Sequence, residues 1–331
     1  MTPFGSSTTD SAERLNCPAC ERPNAPTRTA CLYCGAALPI VNAALQRPTF
    51  RRLEEWEAGY NILCFPHETN QLDLANASAW LQMPQELLVL GLNAATPLPL
   101  ARLATQDEAL LACQRLQDFG FDMGFIPDFE LALQEAPPQR IRSLNGDEST
   151  ITVEPIGGNS PFTVQWDDIK LFVSGRLFTK QSNTQERAKG HQEEEIIDSS
   201  ETGTDELVLD VYTGELAKSW RIHSTGFDFS CLREAKDLLA ANNFARLCEE
   251  LSACSPEAAW QNSYDEIRPL LSHVWPPAQQ SDSRGWQRTR GSSLTRQTIT
   301  TSSHENQFTR YSRLCYQLAL NDEQTATKPN R

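Results

Sequence analysis

Two matched cysteine pairs near the start of the chain restrict its folding more than any other feature. They are Cys17-x-x-Cys20 and Cys31-x-x-Cys34, set within CPACERPNAPTRTACLYCGAAL at residues 17–38. A Cys-x-x-Cys turn aims two sulfurs at one point, and a second such turn completes a tetrahedron, the geometry zinc accepts from four thiolates. Pro18 stiffens the first turn, and Gly35 gives the backbone freedom to fold under a metal. The residues between the pairs are enough for a short hairpin and too few for a core, so metal binding must supply most of the folding free energy. The spacing therefore predicts one structural zinc ion held by Cys17, Cys20, Cys31 and Cys34. A redox dithiol pair and an iron centre are the competing readings. Neither is favoured, because four filled ligand positions leave no open site for chemistry.

The other six cysteines (Cys64, Cys113, Cys231, Cys248, Cys254 and Cys315) are scattered, mostly in apolar runs, with no neighbouring base. They read as reduced core thiols, not as a disulfide framework. The 17–38 stretch resembles the short zinc-ribbon modules of many bacterial proteins, with pattern CPxCG…CxxCGxxL, and the chain as a whole looks like a bacterial zinc-ribbon protein. Cys17, Cys20, Cys31, Cys34 and Gly35 fall on that pattern. Glu21 replaces its first glycine and is expected to loosen that turn. The resemblance implies a metal and a docking knob, and names no partner.

The charge of −14 is unevenly distributed over the 331 residues: +3 over residues 1–52, −21 over 53–275 and +4 over 276–331. An acidic body repels nucleic acid, and only the two ends could approach phosphates. The longest apolar run, residues 87–92, is far below the roughly 20 residues a membrane helix needs. The N-terminus shows no basic region followed by an apolar one, so a cytoplasmic location is expected.

The organisation expected from pattern is as follows. Residues 1–12 are disordered, 13–40 form the ribbon, and 41–57 are a linker or short helix. Residues 58–135 form a small α+β domain. YNILCF, DLANASAWL, PQELLVLGL, LPLARLA, TQDEALLACQRLQDFG and FDMGFIP read in order as β-α-α-β-α-β. Thr105 and Glu108 make a capping box, and Gly120 a stop. Here the sequence resembles the C-terminal domain of the bacterial ribosomal stalk protein, along TPLPLARLATQDEALLACQRLQDFGFDMGFI. That family meets translation factors through a glycine- and lysine-rich helix. The matching QMPQELLVLGLNAATP has no lysine, so that binding is not carried over.

Residues 137–275 read as a β-rich α+β domain, either a PH-like barrel or a related unit, closed by helices near 227–254 and 263–275. The long helical pattern is expected to break at Asn242-Asn243. Within this domain, residues 181–205 are strongly acidic without apolar periodicity, and predict a mobile loop. Lys170, Arg176 and Lys180 lie among acids, and no cationic pocket is apparent. Residues 276–303 read as a disordered linker, 304–320 as an amphipathic helix and 321–331 as a disordered tail. The helix carries Phe308, Tyr311, Leu314, Cys315 and Leu318 on one face, with Arg310 and Arg313 off it. It docks on its own body or, alternatively, in the groove of another protein.

His67, His191, His223, His273 and His304 fall in five separate segments, and no nucleophile or metal-hydrolase motif occurs. The fold class expected is α+β multidomain, and no catalytic residue is assigned. The function expected is a non-catalytic adaptor or regulatory protein that binds a protein partner. The alternatives are a nucleic-acid- or ribosome-associated factor using the basic ends, and an enzyme whose site converges from distant segments.

Overall fold

The computed structural model describes residues 14–39, 53–54, 56–66, 72–94, 96–133, 139–189, 193–288 and 294–326. Contacts divide the chain into two units, Met1–Asp128 and Phe129–Arg331. The protein is α+β, in several parts, and rich in strand.

In the first unit, β1 (Leu15–Asn16) and β2 (Pro23–Asn24) form a two-stranded antiparallel hairpin. After it come β3 (Tyr60–Cys64), α1 (Leu74–Leu81), α2 (Gln85–Leu92), β4 (Leu98–Leu103), α3 (Gln106–Asp118) and β5 (Met123–Pro127). This is the β-α-α-β-α-β order read from the sequence. Strand β3 is central in a three-stranded antiparallel sheet, β4-β3-β5. The capping box of α3 is formed: Glu108 N donates to Thr105 Oγ1 at 3.2 Å, and Thr105 N donates to Glu108 Oε2 at 3.2 Å. The helix buries Ala109, Leu111, Ala112 and Leu116, and Gly120 ends it at φ 92°. Directly after β5, buried Asp128 takes hydrogen bonds from Gly59 N, Asn61 Nδ2 and Arg102 Nε.

The second unit is built on one mixed sheet. Its strands are β6 (Gln139–Gly146), β7 (Thr150–Pro155), β8 (Phe162–Gln165), β9 (Ile169–Lys189), β10 (Glu193–Thr213) and β11 (Trp220–His223). A short 3-10 segment, Phe229–Ala235, then precedes α4 (Ala240–Cys254), β12 (Ala259–Gln261) and α5 (Tyr264–Val274). The chain closes with β13 (Ala278–Arg288), β14 (Leu294–Ser303) and α6 (Glu305–Ala326). The strand path is β13-β14-β9-β10-β11-β6-β7-β8, antiparallel except where β11 meets β6, and β12 lies parallel against β9.

One sheet face carries the main core. Trp220 and Ile222 of β11, Leu209 and Val211 of β10, Phe172 of β9, and Ile151 and Val153 of β7 pack with Phe244, Leu247 and Leu251 of α4. The intervening residues of the same strands point the other way, where α5 and α6 cover them. Tyr212 stacks on Tyr316 with centroids 4.7 Å apart, and Tyr264 meets Phe308 edge-on at 5.0 Å. A side chain at Gly175 would lie 2.6 Å from the Tyr264 ring, so only glycine lets α5 and α6 approach β9 this closely.

Beneath α6 lies a buried charged pair. Arg221 Nε and Nη2 donate to Asp210 Oδ1 and Oδ2 at 2.6 and 2.8 Å. Ser312 of the helix donates to Asp210 Oδ2 at 2.7 Å, and Arg221 Nη2 also reaches Thr309 Oγ1 at 3.1 Å. The terminal helix thus docks on its own body through rings and a polar network together.

Five expectations change. Residues 181–189 and 193–205 were expected as a loop, but they extend the β9–β10 hairpin as an antiparallel pair, with one register shift between Ile196 and Asp198. Residues 278–288 and 294–303, expected as a linker, form β13 and β14, and β14 pairs with the outer half of β9 from Arg187 to Thr179. Both faces of this extension are polar, so it has no apolar alternation to read. Backbone ladders and cross-strand pairs order it instead, among them Arg296 with Glu186 at 2.7 Å and Lys180 with Glu201 at 2.9 Å. The helical break falls between the 3-10 segment and α4, upstream of Asn242, leaving Leu238 and Leu239 exposed. Arg313 is buried, its guanidinium 6.0 Å from the Tyr212 ring, because the sheet face that receives α6 is polar as well as aromatic. Helix α6 also runs past residue 320 to Ala326. The segments expected to be disordered at 1–12 and 327–331 lie outside the described residues, as does the expected linker at 41–57 apart from 53–54 and 56–57.

Candidate metal centre

Each cysteine pair closes the same turn. Glu21 N donates to Cys17 O at 2.8 Å, and Gly35 N donates to Cys31 O at 3.0 Å. The chain then returns, with Cys17 N donating to Arg22 O at 3.0 Å and Cys31 N to Ala36 O at 2.8 Å. Such a turn needs a left-handed residue after its second cysteine, and Glu21 and Gly35 occupy those places at φ 58° and 72°. Glu21 does not open its turn. It adopts the left-handed backbone itself, at a cost of about 1–2 kcal/mol that Gly35 avoids. A methyl group at Gly35 would meet nothing within 4 Å, so Gly35→Ala tests the backbone alone. It is expected to weaken metal binding about fivefold, equivalent to ~1 kcal/mol, as read by competition with a chromophoric chelator.

The turns bring the four sulfurs together. Cys17 Sγ lies 3.6 Å from Cys34 Sγ, and Cys20 Sγ lies 3.6 Å from Cys31 Sγ. All four lie within 4.8 Å of one another. A tetrahedron with Zn–S bonds of about 2.3 Å has sulfur–sulfur edges of about 3.8 Å, whereas a disulfide joins sulfurs at about 2.05 Å. The spacing suits an ion between the sulfurs and excludes bonded pairs. These four cysteines can hold a metal ion such as zinc. Among the described residues, no other group of three or more His, Cys, Asp or Glu is close enough to do so.

Electrostatics points the same way. Burial opposes ionisation of Cys31, but donors from Tyr33 N, Cys34 N and Asn24 outweigh it and bring the thiol down to about 6. At Cys20 an Arg22 backbone donor favours the thiolate. Burial and the three neighbouring sulfurs prevail there and push it up to about 12. Four crowded thiols cannot all ionise without a counter-charge, and a divalent cation supplies one.

Asn24, which the sequence reading did not single out, joins the two turns. It is buried, accepts from Leu32 N at 2.9 Å, and donates to Arg22 O at 2.9 Å and Cys31 Sγ at 3.4 Å. The available signal was a side chain with both donor and acceptor midway along the connection between the pairs. The apolar content is slight: Cys17, Cys31 and Leu38 form the buried cluster. Leu32 and Tyr33, between the second pair, face solvent at 65% and 51% exposure.

The remaining residues of interest stay apart. His223 pairs with Glu206 at 3.0 Å, His304 Nδ1 lies 3.0 Å from Phe178 O, and His273 sits in the last turn of α5. His67 and His191 lie outside the described residues. Burial pushes Cys64, Cys248 and Cys315 up to about 12 and Cys113 up to about 11, so these are unreactive thiols. Asp167-Asp168 lie in a 3-10 turn, as turn chemistry requires. No helix among the described residues is long and apolar enough to cross a membrane. Compared with protein-family models, curated protein sequences and solved structures, the chain matches none of them.

Proposed function

We propose that residues 14–39 form a zinc ribbon in which Cys17, Cys20, Cys31 and Cys34 hold one structural ion, and that the protein is a non-catalytic adaptor or regulatory protein. The observation that carries this reading is the set of four thiols at tetrahedral spacing. With every ligand position filled by protein, the ion would supply charge and shape to the two turns and leave no place for a substrate or an activated water. The second turn then serves as a knob. Leu32 and Tyr33 are held outward by the same backbone that aims the sulfurs inward, and an exposed aliphatic–aromatic pair on a rigid turn is suited to docking against another protein.

The test is affinity purification of the intact protein beside a Leu32→Ser/Tyr33→Ser variant that keeps all four cysteines. Loss of specific co-purifying proteins with zinc content unchanged supports the docking role, and an identical set of partners overturns it. Nucleic-acid binding is the competing outcome. It would appear as RNA affinity that falls steeply with salt and disappears when residues 1–52 are removed.

A further inference from the structure

A cavity of about 320 Å3 opens beside the pair beneath α6, bringing together Arg140 of β6 with Arg221 and His223 of β11. The sequence reading found no cationic pocket, because Arg140 and Arg221 are far apart along the chain and come from two strands brought together by the parallel β6–β11 contact. We propose that this cavity binds a small oxyanion ligand, a phosphate or carboxylate on a hydroxyl-bearing skeleton.

Arg221 carries the argument. Its side chain is 2% exposed. Nε and Nη2 are taken by Asp210 and Thr309, but Nη1 has no hydrogen-bond partner. The nearest carboxylate oxygen, Glu305 Oε1, stands 3.7 Å away, beyond hydrogen-bonding distance. A buried charged N–H left without an acceptor is costly, and an oxyanion in the cavity would satisfy it.

The two acids on the wall do not serve that purpose. Glu206 is engaged by His223 Nδ1 at 3.0 Å and by Thr225 N at 3.1 Å. Glu305 is half exposed and its carboxylate stops short of hydrogen-bonding distance, which leaves room for it to turn outward as a ligand enters. The cavity also meets the start of α6, where the 22-residue helix presents its positive end. Thr179, Thr204 and Ser303 add hydroxyls to the lining, suited to the polar skeleton of a metabolite. The volume falls within the range of small-ligand pockets, roughly 300–1,000 Å3. Because the ligand would touch β6, β11 and the start of α6 together, its binding would tighten the helix against the sheet.

The full-length protein is titrated with sodium phosphate, and separately with sodium acetate, against sodium chloride of equal ionic strength. Thermal melting and isothermal calorimetry are the readouts. Phosphate or acetate is expected to raise the melting midpoint by about 2 °C or more at ten times its Kd. Arg140→Gln, an exposed position outside the Asp210 pair, is expected to weaken that binding about tenfold, the loss of one charge-assisted hydrogen bond. A response to phosphate alone or to acetate alone identifies the oxyanion class. Midpoints that follow chloride for both anions overturn the site, and so does full affinity in Arg140→Gln. The response is expected to survive Cys17→Ser, which separates failure here from failure of the zinc reading.

Discussion

Cys31→Ser is expected to unfold residues 14–39 altogether, and an excess of chelator is expected to do the same to the unaltered chain. Structural zinc contributes about 10–16 kcal/mol to modules of this size. The apolar alternative is weak. The buried cluster is Cys17, Cys31 and Leu38, two of which are themselves ligands, and full burial of one leucine contributes only about 1.5–3 kcal/mol. Nor can the hairpin stand alone, since β1 and β2 pair over two residues each. Zinc analysis of the purified protein should give one ion per chain, falling to none in Cys31→Ser, with rapid proteolysis appearing between residues 14 and 39. Acid should release the ion, because protons compete for the thiolates that bind it. A metal-free protein equally resistant to protease across this segment would remove the basis of the reading.

The second large effect is expected at the buried pair. Asp210→Ala leaves the Arg221 guanidinium, 2% exposed, without its bidentate partner, and Ser312 loses the carboxylate it donates to. Removal of one member of such a pair costs about 3–5 kcal/mol. Arg221→Met should cost a comparable amount, because it strands the Asp210 charge. The double variant Asp210→Leu/Arg221→Met should recover much of the loss, since two apolar groups of similar size leave no charge unpaired. Denaturant unfolding of all four proteins gives the coupling energy. Proteolysis near the start of α6 reports whether the helix has come free. Equal, additive losses in the two single variants would mean that the pair does not tie the helix down.

Both predictions concern places where chemistry is concentrated, yet they differ in how visible they were in the amino-acid order. The metal centre is local: four ligands within one short segment, on a spacing that only a few turns satisfy. The capping box of α3 and the stop at Gly120 are local too, and each was identified residue by residue. Asn24 escaped notice because its role depends on a turn-to-turn approach that spacing does not express.

The second unit shows the reverse. In Trp220–Arg221–Ile222–His223 strict alternation suggests apolar residues inward and polar ones toward water, but all four are buried. The order of residues gives the two-residue period of the strand. It does not say that a helix some 80 positions later will cover the second face. The same holds for the β9–β10 extension, whose polar residues offer no pattern until β14 arrives to pair with them.

The chain's own order thus determined the sulfur cluster and its likeness to a zinc site, the β-α-α-β-α-β succession and the α+β class, because each depends on short-range spacing and backbone preference. Only the tertiary structure decided the docking of α6, the charged pair and cavity beneath it, and the ordering of the polar hairpins. Those depend on which distant segments share a surface, and burial and hydrogen bonding between them outweigh what each segment would prefer alone.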